Sequence, residues 1–303
     1  MKQPAVVGVG EVLWDVFPDG EHFGGAPANV ALHAAALGAA SYMVSAVGPD
    51  ARGAAALARL DAAGVNRAAV AQLLGRPTGV VNVCVDATGQ PGFDIAADVA
   101  WDYLPWSQAV AEVAERADAI CFGTLAQRAA VSRATITRAV KATPERAWRL
   151  FDVNLRQDYF DEPVVIASLE LANAVKLSEE ELPIVARLCK LTAVGVVDQL
   201  RMLCDWFGLK LAALTRGARG SLLVTADEVH ESAAPATVVR DTVGAGDAFT
   251  ATLLVGLLAG RSLAEISERA NAVAAYVCSQ AGATPPIPRA LQWQRRTWSW
   301  KKG

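Results

Sequence analysis

The residues with the clearest capacity for chemistry lie in the string DTVGAGDAFTATLLVGLLAG at 241–260. Gly244, Ala245 and Gly246 come directly before an apolar stretch that is typical of a buried helix. Small residues at a helix start leave backbone N–H groups open to a phosphate or another anion. A carboxylate beside such a site is unexpected because it repels phosphate. Its presence is explained if Asp247 accepts a proton from an attacking hydroxyl. The pattern therefore indicates phosphoryl transfer with Asp247 as general base, and a capped helical turn is the plainer alternative.

A regular framework must hold these residues, and the chain has the pattern of one. Short apolar stretches alternate with longer Ala-rich stretches of helical character. This alternation predicts an α/β fold with a mainly parallel sheet, helices on both faces, and ligands at the carboxyl ends of the strands. The predicted strands are 5–10, 41–48, 119–123, 148–154 and 209–215; the predicted helices are 26–38, 50–63, 127–141, 180–190 and 196–207.

Residues 76–104 interrupt the alternation. Their sequence reads as a strand, a Gly-containing turn and a second strand, and residues 12–24 could supply partner strands. A hairpin inserted among helices predicts a small β lid. Because no linker, internal repeat or low-complexity tract divides the chain, we expect a single domain over 1–303 that carries this lid.

Composition excludes several classes of protein. The chain is 53% hydrophobic, but its longest apolar run, 248–260, is thirteen residues long and would rise only about 20 Å as a helix. That is too short to span a bilayer of roughly 30 Å. The net charge is −3, and the one basic block is the tail at 293–303, so we expect no membrane or nucleic-acid partner. Five scattered cysteines and no secretory pattern favour the cytoplasm.

Other catalytic and cofactor motifs are not matched. Gly8 and Gly10 begin a dinucleotide-binding pattern, but Leu13 stands where its third glycine is needed. The sequence contains no G-x-x-x-x-G-K-[ST] motif, no zinc-type His/Cys spacing and no nucleophile elbow.

Two separated motifs resemble the ribokinase-like (PfkB-type) carbohydrate kinases. Residues 241–247 match the family pattern D-T-x-G-A-G-D in full, and GGAPANVALHAAALGA at 24–39 with SAVGPDARG at 45–53 matches the N-terminal pattern. The resemblance extends from about residue 5 to 288, and GEVLWDVFPDG and FGTLAQR are most similar to bacterial fructokinases. It implies a three-layer α/β/α sandwich with a small β lid, and an ATP-dependent sugar kinase.

The resemblance also implies roles for single residues at the reacting centre. Asp247 corresponds to the catalytic base, and the Gly244–Gly246 segment to the anion hole for the γ-phosphoryl. The sugar hydroxyls are assigned to Asp15, Gly24, Gly25 and Asn29, and carboxylate and amide groups suit polyol hydroxyls. The plainer alternatives are a turn residue at the end of a strand for Asp15 and a buried helix amide for Asn29.

Further positions are assigned to the nucleotide. Thr215, Gly217 and Gly220 match a T-x-G-x-x-G segment that lies close to ATP in the family, although a plain hairpin turn would have the same sequence. Arg156, in FDVNLR, corresponds to a residue near the phosphates, and a surface salt bridge is the competing interpretation.

One family position differs in this chain. Where relatives often have N-x-x-E near Mg²⁺ and ATP, KLSEEEL places Ser178 and Glu181. The resemblance leaves Glu181 as a ligand of Mg²⁺ through water, whereas an acidic first helical turn is the alternative. It also implies a monovalent cation (K⁺) site near Asp241.

The expected function is therefore transfer of the γ-phosphoryl of ATP to a sugar hydroxyl, with fructose as the favoured acceptor. Ribose, 2-keto-3-deoxygluconate or a nucleoside are alternative acceptors, and a non-catalytic sugar or nucleotide sensor is an alternative from another class. An exposed lid hairpin often pairs with a second copy, so we expect a homodimer through the lid.

Overall fold

The computed structural model describes residues 3–18, 20–85 and 91–293, without the side chains of 83–85 and 91. These residues form thirteen strands and nine α-helices. The strands are β1 (Ala5–Val9), β2 (Leu13–Phe17), β3 (Gly20–Gly24), β4 (Ala40–Val47), β5 (Asn66–Gln72), β6 (Gly79–Val85), β7 (Pro91–Ile95), β8 (Ala119–Phe122), β9 (Trp148–Asp152), β10 (Ala174–Ser178), β11 (Leu211–Thr215), β12 (Ser221–Val224) and β13 (Val229–Ser232). The helices are α1 (Ala26–Ala36), α2 (Ala51–Ala62), α3 (Gln108–Glu115), α4 (Ala130–Ala142), α5 (Glu162–Leu171), α6 (Leu182–Leu188), α7 (Val196–Phe207), α8 (Ala245–Leu258) and α9 (Leu263–Cys278).

Nine of the strands form the central sheet, in the order β13-β12-β11-β10-β9-β8-β1-β4-β5. All neighbours pair in parallel except β11–β12 and β12–β13 at one end. Strands such as β1 and β8 are buried at every residue because helices cover both faces of the sheet. The predicted α/β sandwich with a mainly parallel sheet is confirmed, and β5, β10, β12 and β13 are strands that the sequence reading had not identified.

The helices divide between the two faces of this sheet. Apolar side chains of α3 to α7 share one core cluster, whereas those of α1, α8 and α9 share another. The apolar run at 248–260 forms most of α8, in which nine successive residues from Ala248 to Gly256 are buried. Among the described residues, no helix is long and apolar enough to cross a membrane.

A second, smaller sheet lies where the sequence predicted a lid. Its order is β3-β2-β6-β7. β2 and β3 form one antiparallel pair, β6 and β7 form another, and β2 pairs in parallel with β6. The turn at 86–90 falls outside the described residues. The segment that follows β7 is anchored by Arg128, which forms two hydrogen bonds of 2.8 Å to Asp102, donates to the Ala96 carbonyl and lies over the Trp101 ring.

The start of the tryptophan-rich tail is also visible. Trp293 is buried, and the guanidinium groups of Arg261 and Arg269 lie over its ring at 5.5 and 5.2 Å. Residues 294–303, which carry the rest of the basic block, lie outside the described residues.

Candidate active site

A cavity of about 680 Å³ lies between the small sheet and the carboxyl ends of the central strands. Seven residues that the sequence singled out line it: Asp15, Gly25, Asn29, Arg156, Gly244, Gly246 and Asp247. Gly24, Ala245, Thr215, Gly217, Gly220 and Glu181 are not among the described residues that line it. Residues from β2, α1, the loop after β9 and α8 thus meet at one place, although more than 200 positions separate Asn29 from Asp247.

The start of α8 presents to the cavity backbone N–H groups that have no acceptor in the described part of the chain. Gly244 has φ +77°, and a Cβ there would lie 2.3 Å from the Ala283 carbonyl oxygen, so only glycine fits this turn. Among the described residues, no acceptor meets the N–H groups of Gly246 and Asp247. Because these groups sit at the positive end of the helix dipole and face the cavity, they suit a phosphoryl oxygen.

Asp247 is half-buried in the first turn of α8, and Asn29 holds its side chain. Asn29 Nδ2 donates to Asp247 Oδ2 at 2.8 Å, and Asn29 Oδ1 is buried without a partner among the described residues. Burial and the nearby charge of Asp152 raise the pKa of Asp247 to about 6, against the lowering effect of Asn29, Lys176 and Arg156. The carboxylate can therefore accept a proton near neutral pH, and the free amide oxygen can accept a ligand hydroxyl.

Asp15 and Gly25 also line the cavity, and Gly24 packs beside Asp15. Burial raises the pKa of Asp15 to about 6, and the charges of Arg156 and His22 oppose this shift. A Cβ at Gly24 would lie 2.6 Å from Asp15 Oδ2, so the bare backbone leaves the carboxylate its place. Gly25 has φ +104° and begins α1, which carries Asn29.

Glu11 is a cavity residue that the sequence reading missed. Its side chain is buried, and Oε1 accepts the N–H of Ala26 at the start of α1 at 3.2 Å. Burial raises its pKa to about 7, and the charge of Asp247 adds to the effect. The sequence pattern that could have indicated this residue is an acidic side chain just past the buried strand β1, with Gly10 between them.

Lys176 is the second missed residue and comes from the otherwise apolar β10. Its Nζ forms a buried ion pair with Asp152 Oδ1 at 3.0 Å, and Thr250 Oγ1 donates to Asp152 Oδ2 at 2.7 Å. Lys176 also lines the cavity. A lysine flanked by apolar residues on both sides, in the stretch AVKL at 174–177, would have been the signal, because lysine is rarely buried without a partner.

Arg156 lies in a loop that contacts the small sheet. It lines the cavity and forms no ion pair with any described residue, so the surface salt bridge considered from sequence is not seen. In the same loop, Gln157 donates to the Phe93 carbonyl and Tyr159 Oη donates to the Ile95 carbonyl at 3.3 Å. The loop that carries Arg156 is thereby tied to β7.

Glu181 binds backbone rather than facing the cavity. Oε1 accepts the N–H of Leu155 at 2.8 Å and Oε2 accepts that of Ser178 at 2.7 Å, while Ser178 Oγ accepts the Glu181 N–H at 3.3 Å. Each carboxylate oxygen keeps a lone pair that could meet a metal-bound water. The described residues contain no cluster of three or more His, Cys, Asp or Glu side chains placed to hold a metal ion.

The remaining predicted positions are not among the described residues that line the cavity. A Cβ at Gly220 would lie 2.0 Å from the Ser232 carbonyl oxygen, so packing against β13 accounts for that glycine. Thr215 ends β11, and Gly217 begins the short 3-10 turn that follows it. Asp241 accepts the N–H groups of Val243 and Gly282, each at 3.0 Å, and so joins the turn before α8 to the chain after α9.

Comparison with known proteins decides the family. The sequence pattern of the pfkB family carbohydrate kinases matches residues 10–290, nearly the whole chain. The chain belongs to this family. It is an ATP-dependent carbohydrate kinase, and its mainly parallel sheet between helical layers is the ribokinase-like fold of its structural neighbours.

Several relatives indicate the range of substrates in this family. A sugar kinase from Pyrococcus horikoshii is 31% identical over 92% of this chain and 91% of its own, and a fructokinase from Klebsiella pneumoniae is 31% identical over 83% of each. The aminoimidazole riboside kinase of Salmonella typhimurium is 36% identical, but over only 46% of this chain and 45% of its own.

Two solved structures of relatives have ligands bound. The Pyrococcus horikoshii kinase in complex with ATP superimposes with a TM-score of 0.76 at 29% identity, over 92% of this chain and 94% of that one. A fructokinase from Vibrio cholerae with fructose, ADP and calcium bound has a TM-score of 0.78 at 26% identity, over 98% of each chain.

Proposed function

We propose that this kinase phosphorylates fructose at a hydroxymethyl oxygen. The observation that carries the proposal is one cavity lined by the Asn29–Asp247 pair, by the start of α8 with N–H groups that meet no described acceptor, and by Asp15. The carboxylate, the free amide oxygen and the bare glycine backbone are suited to a polyol. Fructokinases at about 31% identity support the choice of this sugar.

In the proposed reaction, Asp247 takes the proton of the substrate hydroxyl as its oxygen attacks the γ-phosphorus in line. The bond from that phosphorus to the bridging oxygen of ADP breaks, and ADP leaves with the electron pair. Within the Gly244–Gly246 segment, the N–H groups of Gly244 and Gly246 bind the phosphoryl oxygens together with the guanidinium of Arg156. The N–H of Ala245 donates instead to the Thr242 carbonyl at 3.3 Å and helps to fix the turn. Asp15, Gly24, Gly25 and Asn29 hold the sugar hydroxyls.

The proposal also assigns residues around the nucleotide. Thr215, Gly217 and Gly220 lie beside ATP, and Glu181 holds Mg²⁺ through water. When bound with ATP, Mg²⁺ supplies positive charge that offsets the charge on the phosphates. A K⁺ ion near Asp241 and a homodimer formed through the small sheet complete the proposal. We further propose that this sheet, with the neighbouring parts of 12–24 and 76–104, acts as a lid that excludes water from the sugar.

A nucleoside is the second candidate acceptor. Phe17 and Phe93 line the small-sheet side of the cavity, and aromatic rings can stack on a base. The partial match to a riboside kinase is consistent with this alternative.

A coupled assay of ADP release decides between these acceptors, with fructose, ribose, 2-keto-3-deoxygluconate and aminoimidazole riboside compared at equal enzyme. We expect fructose to have a kcat/KM at least about tenfold above the others, since one well-placed polar contact discriminates by that much or more. A higher value for the riboside would assign the site to nucleosides. No turnover with any acceptor, with ATP binding intact, would support the sensor.

A further inference from the structure

Lys176 is a buried charged residue of the central sheet. It is 5% exposed in the middle of β10, whose other residues are apolar or small. Burying an ammonium group is costly unless it is paired, and an apolar residue of similar size often serves stability equally well. Packing alone therefore does not explain a buried lysine in the middle of a central strand.

The ammonium group of Lys176 lies close to the start of α8. A Cβ built on Gly246 would lie 3.1 Å from Lys176 Nζ, so the ammonium lies against the first turn of α8. Lys176 and Gly246 line the same cavity as Asp247. Of the three N–H groups of Nζ, one meets an acceptor among the described residues, Asp152 Oδ1.

The charge on Lys176 is permanent at any ordinary pH. Burial opposes it, but the carboxylates of Asp152, Glu181 and Asp247 more than compensate, so the pKa of Lys176 lies above its usual value. Lys176 is therefore a donor and not a base. Asp152, itself fixed by Thr250, holds the side chain in one direction.

We propose that Lys176 Nζ donates a hydrogen bond to a nonbridging oxygen of the γ-phosphoryl group during transfer, beside the N–H groups of the Gly246 turn. No proton leaves Lys176. The bond from phosphorus to the bridging oxygen of ADP breaks, the bond to the acceptor oxygen forms, and the acceptor proton passes to Asp247. The ammonium offsets negative charge on the equatorial oxygens. The proposal rests on the kinase activity of the family and not on which sugar is the acceptor.

Calorimetric titration with ADP and with its β,γ-imido ATP analogue tests this contact, because only the analogue has a γ-phosphoryl group. In Lys176→Met we expect binding of the analogue to weaken about 10- to 100-fold, the effect of one charge-assisted hydrogen bond, and ADP binding to change less than about threefold. We expect kcat with the best acceptor to fall about 100-fold or more, and the KM of that acceptor to change little.

Two further variants separate this role from a structural one. Lys176→Met alone leaves Asp152 buried without its partner and lowers stability, so Asp152→Asn/Lys176→Met removes both charges and keeps an acceptor for Thr250. Arg128→Met breaks another buried ion pair, with Asp102, away from the cavity lining and controls for general loss of stability.

The double variant should keep the selective loss of analogue binding, and Arg128→Met should weaken the two ligands equally or not at all. If the double variant binds the analogue and ADP in the wild-type ratio, or regains wild-type kcat, Lys176 serves only the ion pair and the proposal is overturned. A failure of fructose as substrate would leave the two binding constants, and hence this test, unaffected.

Discussion

The Asp247 carboxylate lies at the point where three influences meet: burial, a hydrogen bond from Asn29, and the charges of Asp152, Lys176 and Arg156. Their sum places its pKa near 6, so the group is ionised at neutral pH but remains basic enough to accept a proton during transfer. The sequence predicts this residue from its position in DTVGAGD. The balance of influences depends on residues from 29 to 176, and only the fold brings those together.

Asp247→Asn tests the base directly. We expect kcat to fall about 10²- to 10⁴-fold because the amide cannot accept the proton, while ADP binding stays within a few-fold of wild type. Below about pH 6 the wild-type kcat/KM should fall as Asp247 of the free enzyme becomes protonated, and steady-state rates from pH 5 to 8 measure this. Asp227→Asn, at an exposed turn, is the matched control. Turnover near the wild-type rate in Asp247→Asn would remove Asp247 from this role.

At the scale of elements, the turn before α8 gives the proposed anion site its shape. Gly244 starts α8 and Gly260 follows it, and both have positive φ, +77° and +65°. A Cβ at Gly260 would contact nothing within 4 Å, whereas one at Gly244 would overlap the backbone of Ala283. Substitutions at these two positions therefore distinguish the cost of a left-handed backbone from the added cost of a steric clash.

Gly260→Ala should lower the free energy of unfolding by about 1 kcal/mol, the cost of the left-handed conformation. Gly244→Ala should cost about 3 kcal/mol or more, because Ala283 must also move, and it should lose most of its kcat as the N–H groups turn away. Urea unfolding and steady-state rates measure both effects. Equal stability losses in the two variants would show that the contact with Ala283 has no energetic weight.

The sequence predicted only part of the elements, because β5, β10, β12, β13, α3, α5 and α9 were not among the predicted strands and helices. Each predicted strand and helix overlaps an observed one, because apolar periodicity is a local property of the sequence. The pairing of Lys176 with Asp152 spans 24 positions, and that of Glu181 with the Leu155 N–H spans 26. Such contacts depend on the register of neighbouring strands and loops, which residue type and spacing do not encode.

At the scale of the molecule, the cavity makes the folded chain sensitive to pH. The pKa values of Glu11, Asp15 and Asp247 all lie above their ordinary values, so the folded chain holds more protons than the unfolded chain between about pH 4 and 7. These groups make the free energy of unfolding decrease as pH rises through that window. Buried His33, whose pKa is lowered to about 4, has the opposite effect up to about pH 6.5.

Glu11→Gln should remove the free-energy cost of ionising the buried Glu11 carboxyl, while the amide oxygen still accepts the Ala26 N–H. A pKa raised from 4.5 to about 7 corresponds to about 3 kcal/mol, so the variant should be more stable than wild type by up to that amount at pH 8 and by much less at pH 5. Thermal unfolding across this range measures the difference, with Glu268→Gln, at an exposed position, as the control. A stability difference that does not grow with pH would mean that Glu11 is already ionised in the folded chain.

The hydrogen bonds from Gln157 and Tyr159 to the carbonyls of β7 have a consequence for how two substrates share one enzyme. Phe93 and Ile95 of β7 line the cavity, and the loop bonded to this strand carries Arg156, which we propose to bind the phosphoryl oxygens. On that assignment, an acceptor that orders β7 also orders the Arg156 loop, and a nucleotide that orders the loop also orders β7. Thermodynamic reciprocity then requires each ligand to tighten the other by the same factor. Cooperativity between sugar and nucleotide would thereby disfavour ATP hydrolysis when no acceptor is present.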